Sequence, residues 1–422
     1  MTYYSQLSII EATFFLPRRH ADTDIGLLPL LLQIPARRDL TLRRAELELT
    51  VSESTKTIFD LENITEGEMT QRELRFQSEF RRGRRRSRIF MATLIVLLVL
   101  GFIISFNVGR FNVEPRGVLE SLIKGIRLGP GRIEEWADAR DTVVWLVRMP
   151  RILAAILVGG ALAVAGATYQ GLFRNPMVSP DILGASAGAS VGACFMMLLN
   201  QGSAMIQVGA FVMGIVAVAL SYFLSKAVGR GSNMVLLLVL CGMTVNTLFQ
   251  AVVSIIKYLA DVDSQLPAMT YWLMGSLAKV NYGDLLFFAV TFIVGLIPIM
   301  ALRWRLNVLS FGEDEAKAMG VNVGAVRLIS IVCATLLTAA VVSIAGTIGW
   351  VGLMIPHLVR FIVGPNNKTL IPMSLLTGGL FMLIVDDFCR SLLSYEIPLG
   401  VLTSLLGAPF FIFILYKRKG AS

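Results

Sequence analysis

Stretches of twenty residues or more without one charged side chain recur along this chain, among them 152–173, 182–225, 231–256, 328–356 and 397–416. A helix crosses the hydrocarbon core of a bilayer with about 20 mainly apolar residues. Several of these tracts therefore hold one span, and two hold more. Buried helices of soluble proteins rarely run so far without a charge. Charged residues make up 16% of the chain, against roughly a quarter in soluble domains, and mean hydropathy is +0.69. The sequence predicts an integral membrane protein.

The formal net charge of +9 does not point to nucleic acid. Six arginines crowd into Arg81-Arg82-Gly83-Arg84-Arg85-Arg86-Ser87-Arg88 directly before the first apolar run, where they read as a cytoplasmic topogenic anchor. Spans are expected at about 89–108, 152–173, 183–199, 204–225, 233–257, 285–302, 327–346, 348–363, 369–388 and 397–416. This gives an all-α, polytopic transmembrane helix bundle with about ten crossings. An even number returns the C-terminus to the cytoplasm, in keeping with Lys417-Arg418-Lys419. The stretch 109–151 is expected outside although it carries eight basic and six acidic residues, so its arginines need a reason of their own. Residues 1–80 never reach spanning length and read as a separate extension, or as text preceding a start at Met69; the membrane domain covers 81–420. Gly184, Gly188 and Gly192 form a small-xxx-small run, expected to pack within one chain more than to form a dimer seam.

Chemistry is sparse. Cys194, Cys241, Cys333 and Cys389 form no CxxC pair and read as reduced packing residues. Two histidines, His20 and His357, are too few for a histidine metal site, and no cofactor or metal is expected. Ionisable residues are expected only at span ends: Asp386 and Asp387 in the ninth, Lys257 and Asp261 by the fifth. That pattern argues against a proton-driven pump. No phosphate-cradling G-x-x-x-x-G-K-[ST] is present, so any ATP must be bound by another subunit. The connection 303–326 contains Phe311–Val323, where Gly312 and Gly320 bracket a short helix with acids in its first turn and Lys317 near its end. The charges suit the helix dipole, and the compactness suits an element that transmits movement between subunits.

Several segments then fall into a known order. Arg148–Arg151 (RMPR), Gly166–Pro176 (GATYQGLFRNP), Asp181–Gly192 (DILGASAGASVG), Trp272–Leu277 (WLMGSL), the 312–323 segment, Gly349–Arg360 (GWVGLMIPHLVR) and Glu396–Pro409 (EIPLGVLTSLLGAP) together resemble the FecCD-type permeases of bacterial ABC importers for iron-siderophores, haem or vitamin B12. The likeness covers about 88–417. It implies a permease subunit in the inner membrane that is no enzyme itself, with two separate ABC ATPase subunits below. It also implies an extracytoplasmic substrate-binding protein above and a second permease subunit, most simply a homodimer. Short cytoplasmic coupling helices between spans six and seven would dock into the ATPase, which assigns Gly312, Glu313, Ala316, Met319 and Gly320 to that contact. The family's outward arginines meet acidic residues of the binding protein, and Arg148, Arg151 and Arg390 stand at those positions. Surface charge balanced by Glu134, Glu135 and Asp138 is the plainer alternative.

On this reading an iron(III)-siderophore complex moves inward by ATP-driven alternating access. The pathway is expected along span five at Met243, Asn246, Gln250 and Ser254, with an outer gate over Ser264–Gly275. Asn246 and Gln250 serve equally well as interhelical hydrogen-bond partners. Cobalamin or haem are alternative cargoes. An ion-coupled secondary transporter is the rival class, disfavoured by the empty span centres. Membrane lipid is an obligate partner; nucleic acid is not one.

Overall fold

The computed structural model describes residues 66–111, 113–128, 138–229 and 234–419. The chain divides into two units, residues 1–79 and 80–422, and the helix bundle is the second. The start of the N-terminal extension, residues 1–65, lies outside the described residues, as do Glu134 and Glu135.

Helix α1 is Glu66–Ser105, and its stretch from Arg85 to Ser105 is long and apolar enough to cross a membrane. After it come α2 (Pro115–Leu128) and the short α3 (Ala139–Thr142), which runs through a π-helical turn, Val143–Arg148, into α4 (Met149–Leu172). A 3-10 turn at Pro180–Leu183 leads to α5 (Ala185–Leu198), α6 (Ser203–Val228) and α7 (Met234–Leu259). Next are α8 (Gln265–Leu273), α9 (Tyr282–Leu309), the short α10 (Glu313–Ala318) and α11 (Val323–Ala345). The last three are α12 (Val351–Val363), α13 (Asn367–Ser391) and α14 (Leu399–Lys419). Each apolar segment expected from the sequence meets a helix. Seven are long and apolar enough to cross a membrane; α5, α12 and the Leu399–Phe413 part of α14 are shorter.

Helix α4 is the centre of the bundle. It is buried on nearly every face and packs against α9, α11, α12 and α13. Such a helix cannot use large side chains throughout, because apolar lipid gives helices no hydrophobic reason to associate and close backbone packing must do it. A Cβ on Gly166 would stand 1.7 Å from the carbonyl oxygen of Gly352 in α12, and one on Gly159 2.1 Å from that of Gly378 in α13. The Gly188 and Gly192 run does the same within the chain: their added Cβ atoms would meet the carbonyls of Met213 (2.4 Å) and Gly209 (2.0 Å) in α6.

Peripheral helices show the opposite pattern. Leu286, Val290, Ile293, Val294 and Ile297 of α9 and Ile95, Val96, Val99 and Leu100 of α1 are exposed, as a lipid-facing surface requires. The free cysteines Cys194, Cys333 and Cys389 are buried and Cys241 half-buried. His357 stacks edge-on to Phe361 at 4.9 Å, a packing role.

Candidate translocation site

The sequence-selected residues fall into three places: one end of the bundle, the opposite end, and the outward face of α7.

At the first end the C-termini of α1 and α13 meet the N-termini of α4 and α14. Arg151 opens α4 and makes a forked contact with Asp386 of α13, Nε to Oδ1 at 3.0 Å and Nη2 to Oδ1 at 2.8 Å, while Nη2 also reaches Glu396. Arg390, one turn beyond Asp386, pairs with it through Nε at 3.3 Å and bonds Asp387 and Ser105. Arg148 donates to the carbonyl oxygens of Phe106 and Phe111. All three arginines are under a tenth exposed and Asp386 is fully buried. The sequence suggested outward docking charges; the structure shows guanidiniums consumed inside the chain, tying four helices together. Nearby, Asp138 pairs with Arg140 at 3.4 Å and Lys124 with Asp141. At the entry to α8, Ser264 donates its hydroxyl and its amide to Asp261 at 2.6 and 2.8 Å. Those bonds hold the Asp261 carboxyl below the usual carboxylate range.

At the opposite end, α10 is the short helix expected between Gly312 and Gly320. Both glycines take positive φ, +140° and +77°, conformations open to glycine at little cost. Ala316 is fully buried beneath the helix, Glu313 pairs with Arg327 of α11, and Lys317 bonds Asp314 at 3.0 Å. Met319 and Phe311 present large apolar surface at the tip. The helix is thus fixed to α11 on one side and open on the other.

The outward face of α7 is built by contrast. Leu238, Gly242, Val245, Phe249, Val253 and Ile256 recur every three to four residues and are buried, the spacing of one helix face. On the exposed side Met243, Thr247, Gln250 and Ser254 follow one another at helical spacing, with Asn246 half-buried at its edge. Thr247 and Ser254 donate their hydroxyls back to Met243 and Gln250 carbonyls at 3.0 Å. A polar stripe on a spanning helix faces water or protein, not lipid. Helix α14 exposes Val401, Leu405, Leu406, Ile412 and Phe413. Along α14 opens a groove, a cavity of about 590 Å³, whose wall includes Asp181 of the 3-10 turn, Ser186 of α5, Met274 at the end of α8, Thr347 and Gly349 of the break after α11, and Gly400 and Ser404 of α14. Its floor is the break between α11 and α12, where Gly346 turns at φ +68° and a Cβ would lie 2.2 Å from the Trp272 carbonyl.

Sequence reasoning missed Asp181. In the sequence it stands only as the head of the Asp181–Gly192 segment, directly before the longest uncharged run. The 3-10 turn that carries it folds back into the bundle: a Cβ on Gly242 would be 2.3 Å from the Ile182 carbonyl, and Ser221 donates to Leu183 O at 3.0 Å. Gly242 lies eight residues into α7, roughly 12 Å from its end at 1.5 Å per residue. The available signal was Asn175-Pro176 and Ser179-Pro180, two breaks that permit an irregular segment to re-enter where it lines a cavity.

Comparison with known proteins adds a consistent picture. Residues 97–417 match the FecCD transport family. The chain is 39% identical over 327 residues to the molybdate import system permease protein MolB of Haemophilus influenzae, covering 77% of this chain and 95% of that one. It is 34% identical over 350 residues to the hemin transport system permease protein HmuU of Yersinia pestis, covering 80% and 98%. A solved structure described as an inward-facing conformation of a metal-chelate type ABC transporter superposes with a TM-score of 0.69 at 37% identity, over 78% of this chain and 99% of that one.

Proposed function

This chain belongs to the FecCD transport family and is a membrane-embedded permease subunit of an ABC importer, and on that premise we propose that it carries iron(III)-siderophore complexes inward by alternating access. The observations that carry the pathway are the exposed stripe Met243–Thr247–Gln250–Ser254 of α7 and the open cavity along α14. A span with such a face needs a partner other than lipid. A second copy of the chain, facing α7 and α14 across the groove, supplies it and encloses a pathway wide enough for a bulky chelate. The chain crosses the bacterial inner membrane about ten times, with α5, α12 and α14 as its shorter crossings. Both termini then lie in the cytoplasm, following Arg85–Arg88 and Lys417–Lys419.

In this orientation α10 faces the cytoplasm. Gly312, Glu313, Ala316, Met319 and Gly320 form the contact with a separate ATPase subunit, which binds and hydrolyses the ATP. Met319 and Phe311 enter the partner, while the Glu313–Arg327 pair hands its movement to α11. The outer end carries the surface on which an extracytoplasmic binding protein docks. Arg148, Arg151 and Arg390 contribute from beneath, by fixing the helix ends that shape this surface.

Cobalamin or haem is the second reading, favoured by relatives named for those cargoes, among them a cobalamin import permease of Halobacterium salinarum at 38% identity. The test is uptake into proteoliposomes holding the permease, its ATPase and its binding protein. Accumulation of radiolabelled iron(III) hydroxamate that requires ATP and ignores a protonophore is the expected result. Uptake of cobalamin alone transfers the assignment to the second reading. Uptake that persists without ATP but collapses with the ion gradient overturns the mechanism.

A further inference from the structure

The wall of the groove cavity carries a charge that nothing among the described residues neutralises. No lysine, arginine or histidine among them forms an ion pair with Asp181. Its one side-chain partner there is the hydroxyl of Ser186, which donates to Oδ1. Asp181 is half-buried on the wall of that open cavity, so its carboxyl group faces the space and is left for an occupant's charge or donors to meet. The acids packed at one end of the bundle have partners within the chain: Asp386 has two arginines, and Asp387 has Arg390 and Ser105.

The rest of the cavity's side-chain polarity has the same sense. The Ser186 hydroxyl proton is spent on Asp181, that of Thr347 on the carbonyl of Leu273, and that of Ser404 on the carbonyl of Gly400 at 2.7 Å. Each hydroxyl therefore turns lone pairs, not a proton, toward whatever occupies the space. The remaining side chains on the wall, Leu273, Met274, Ile348, Val401 and Leu405, are apolar. The side chains offer acceptors and negative charge, and no donor.

We propose that this cavity is a charge-selective binding site in the permease itself, which takes the cationic or hydrogen-bond-donating face of a metal chelate and turns away oxyanions. The ligand class is a chelate bearing an ammonium or N–H and O–H donors; a volume of about 590 Å³ suits a molecule of that bulk. This deepens the importer reading and rests on it for the cargo's direction of travel, but the site itself is measurable without transport.

The test uses the purified full-length permease in detergent and two iron(III) chelates built on the same hydroxamate core. One is iron(III) desferrioxamine B, whose free amine is cationic; the other is its N-succinyl derivative, which is anionic. Binding is read by quenching of tryptophan fluorescence, with molybdate as competitor. The cationic chelate is expected to bind about tenfold more tightly than the anionic one, and molybdate is expected not to compete. Asp181→Asn keeps an acceptor for Ser186 and should erase the difference between the chelates, while Asp181→Glu should retain part of it. Equal binding of both chelates to the wild-type protein, binding of neither, competition by molybdate, or a preference that survives in Asp181→Asn overturns the site. Preference in binding without any ATP-dependent uptake would leave the site standing and refute the importer reading instead.

Discussion

Two sets of charges divide this molecule, one packed within the bundle and one facing an open cavity. At one end of the bundle Arg148, Arg151, Arg390, Asp386, Asp387 and Glu396 are packed so that each charge meets an opposite one or a backbone oxygen. In the groove, Asp181 meets a single hydroxyl and an open space. The first set resembles a rivet: its members come from the start of α4, the end of α13 and the approach to α14, and face each other. The second resembles a socket. A buried charge held by its own chain contributes to fold specificity, and one left facing a cavity is available to something that passes through.

The largest expected effect lies in the packed cluster. Asp386→Ala removes the carboxylate shared by Arg151 and Arg390 and leaves two guanidiniums in a site where Asp386 has no exposure at all. Breaking a buried pair from one side costs about 3–5 kcal/mol. The variant should therefore unfold at markedly lower temperature in detergent, as followed by circular dichroism, and reach the membrane in reduced amount. A variant as stable as the wild type would mean that these arginines are held elsewhere, and the contrast with Asp181 would collapse.

How far the sequence alone revealed these two regions depends on reach. The helices were legible because each tract of apolar residues is local: positions 204–225 and 233–257 already mark α6 and α7. Gly188 and Gly192 announced a close helix contact for the same reason. The arginines were visible as charges in an unexpected place, but their partners were not, since Arg151 and Asp386 are separated by 235 positions. Nothing local tells an arginine awaiting a binding protein from one already bonded within its chain. Asp181 was hidden by a different limit. Its place in the sequence is a loop, and only the packing of Leu183 and Ile182 on α6 and α7 draws that loop into the bundle. The stripe on α7 could be drawn from helical spacing, whereas the cavity needs the 3-10 turn, α5, α8, the break after α11 and α14 brought together.

A smaller effect is expected where a charged pair is half in water. Glu313 is more than a third exposed, so its contact with Arg327 is screened. Glu313→Gln should cost about 0.5–1 kcal/mol or less, and protein yield should stay normal. Its consequence should show in transport: ATP hydrolysis by the assembled complex persists while uptake per ATP falls. If hydrolysis and uptake fall together in proportion, α10 sets ATPase affinity and does not transmit force to α11. Gln250→Leu tests the stripe on α7 in the same assay. It should leave stability unchanged within about 0.5 kcal/mol, because the side chain faces outward from the single chain, and lower the rate of uptake.

The smallest effect on stability is expected where the largest effect on binding is proposed. Asp181→Asn replaces a carboxylate by an amide of nearly the same shape, and its carbonyl oxygen still accepts from Ser186. No counter-charge is stranded, because none is paired with Asp181 among the described residues. The substitution also removes whatever the fold loses by holding an ionised group half-buried on the cavity wall. The variant should thus melt at the wild-type temperature or above it, by an amount equivalent to no more than about 1 kcal/mol. That sign is the opposite of the one expected for Asp386→Ala. If Asp181→Asn is instead destabilised by as much as Asp386→Ala, then Asp181 belongs with the rivet, and a cation outside the described contacts must hold it in the resting protein.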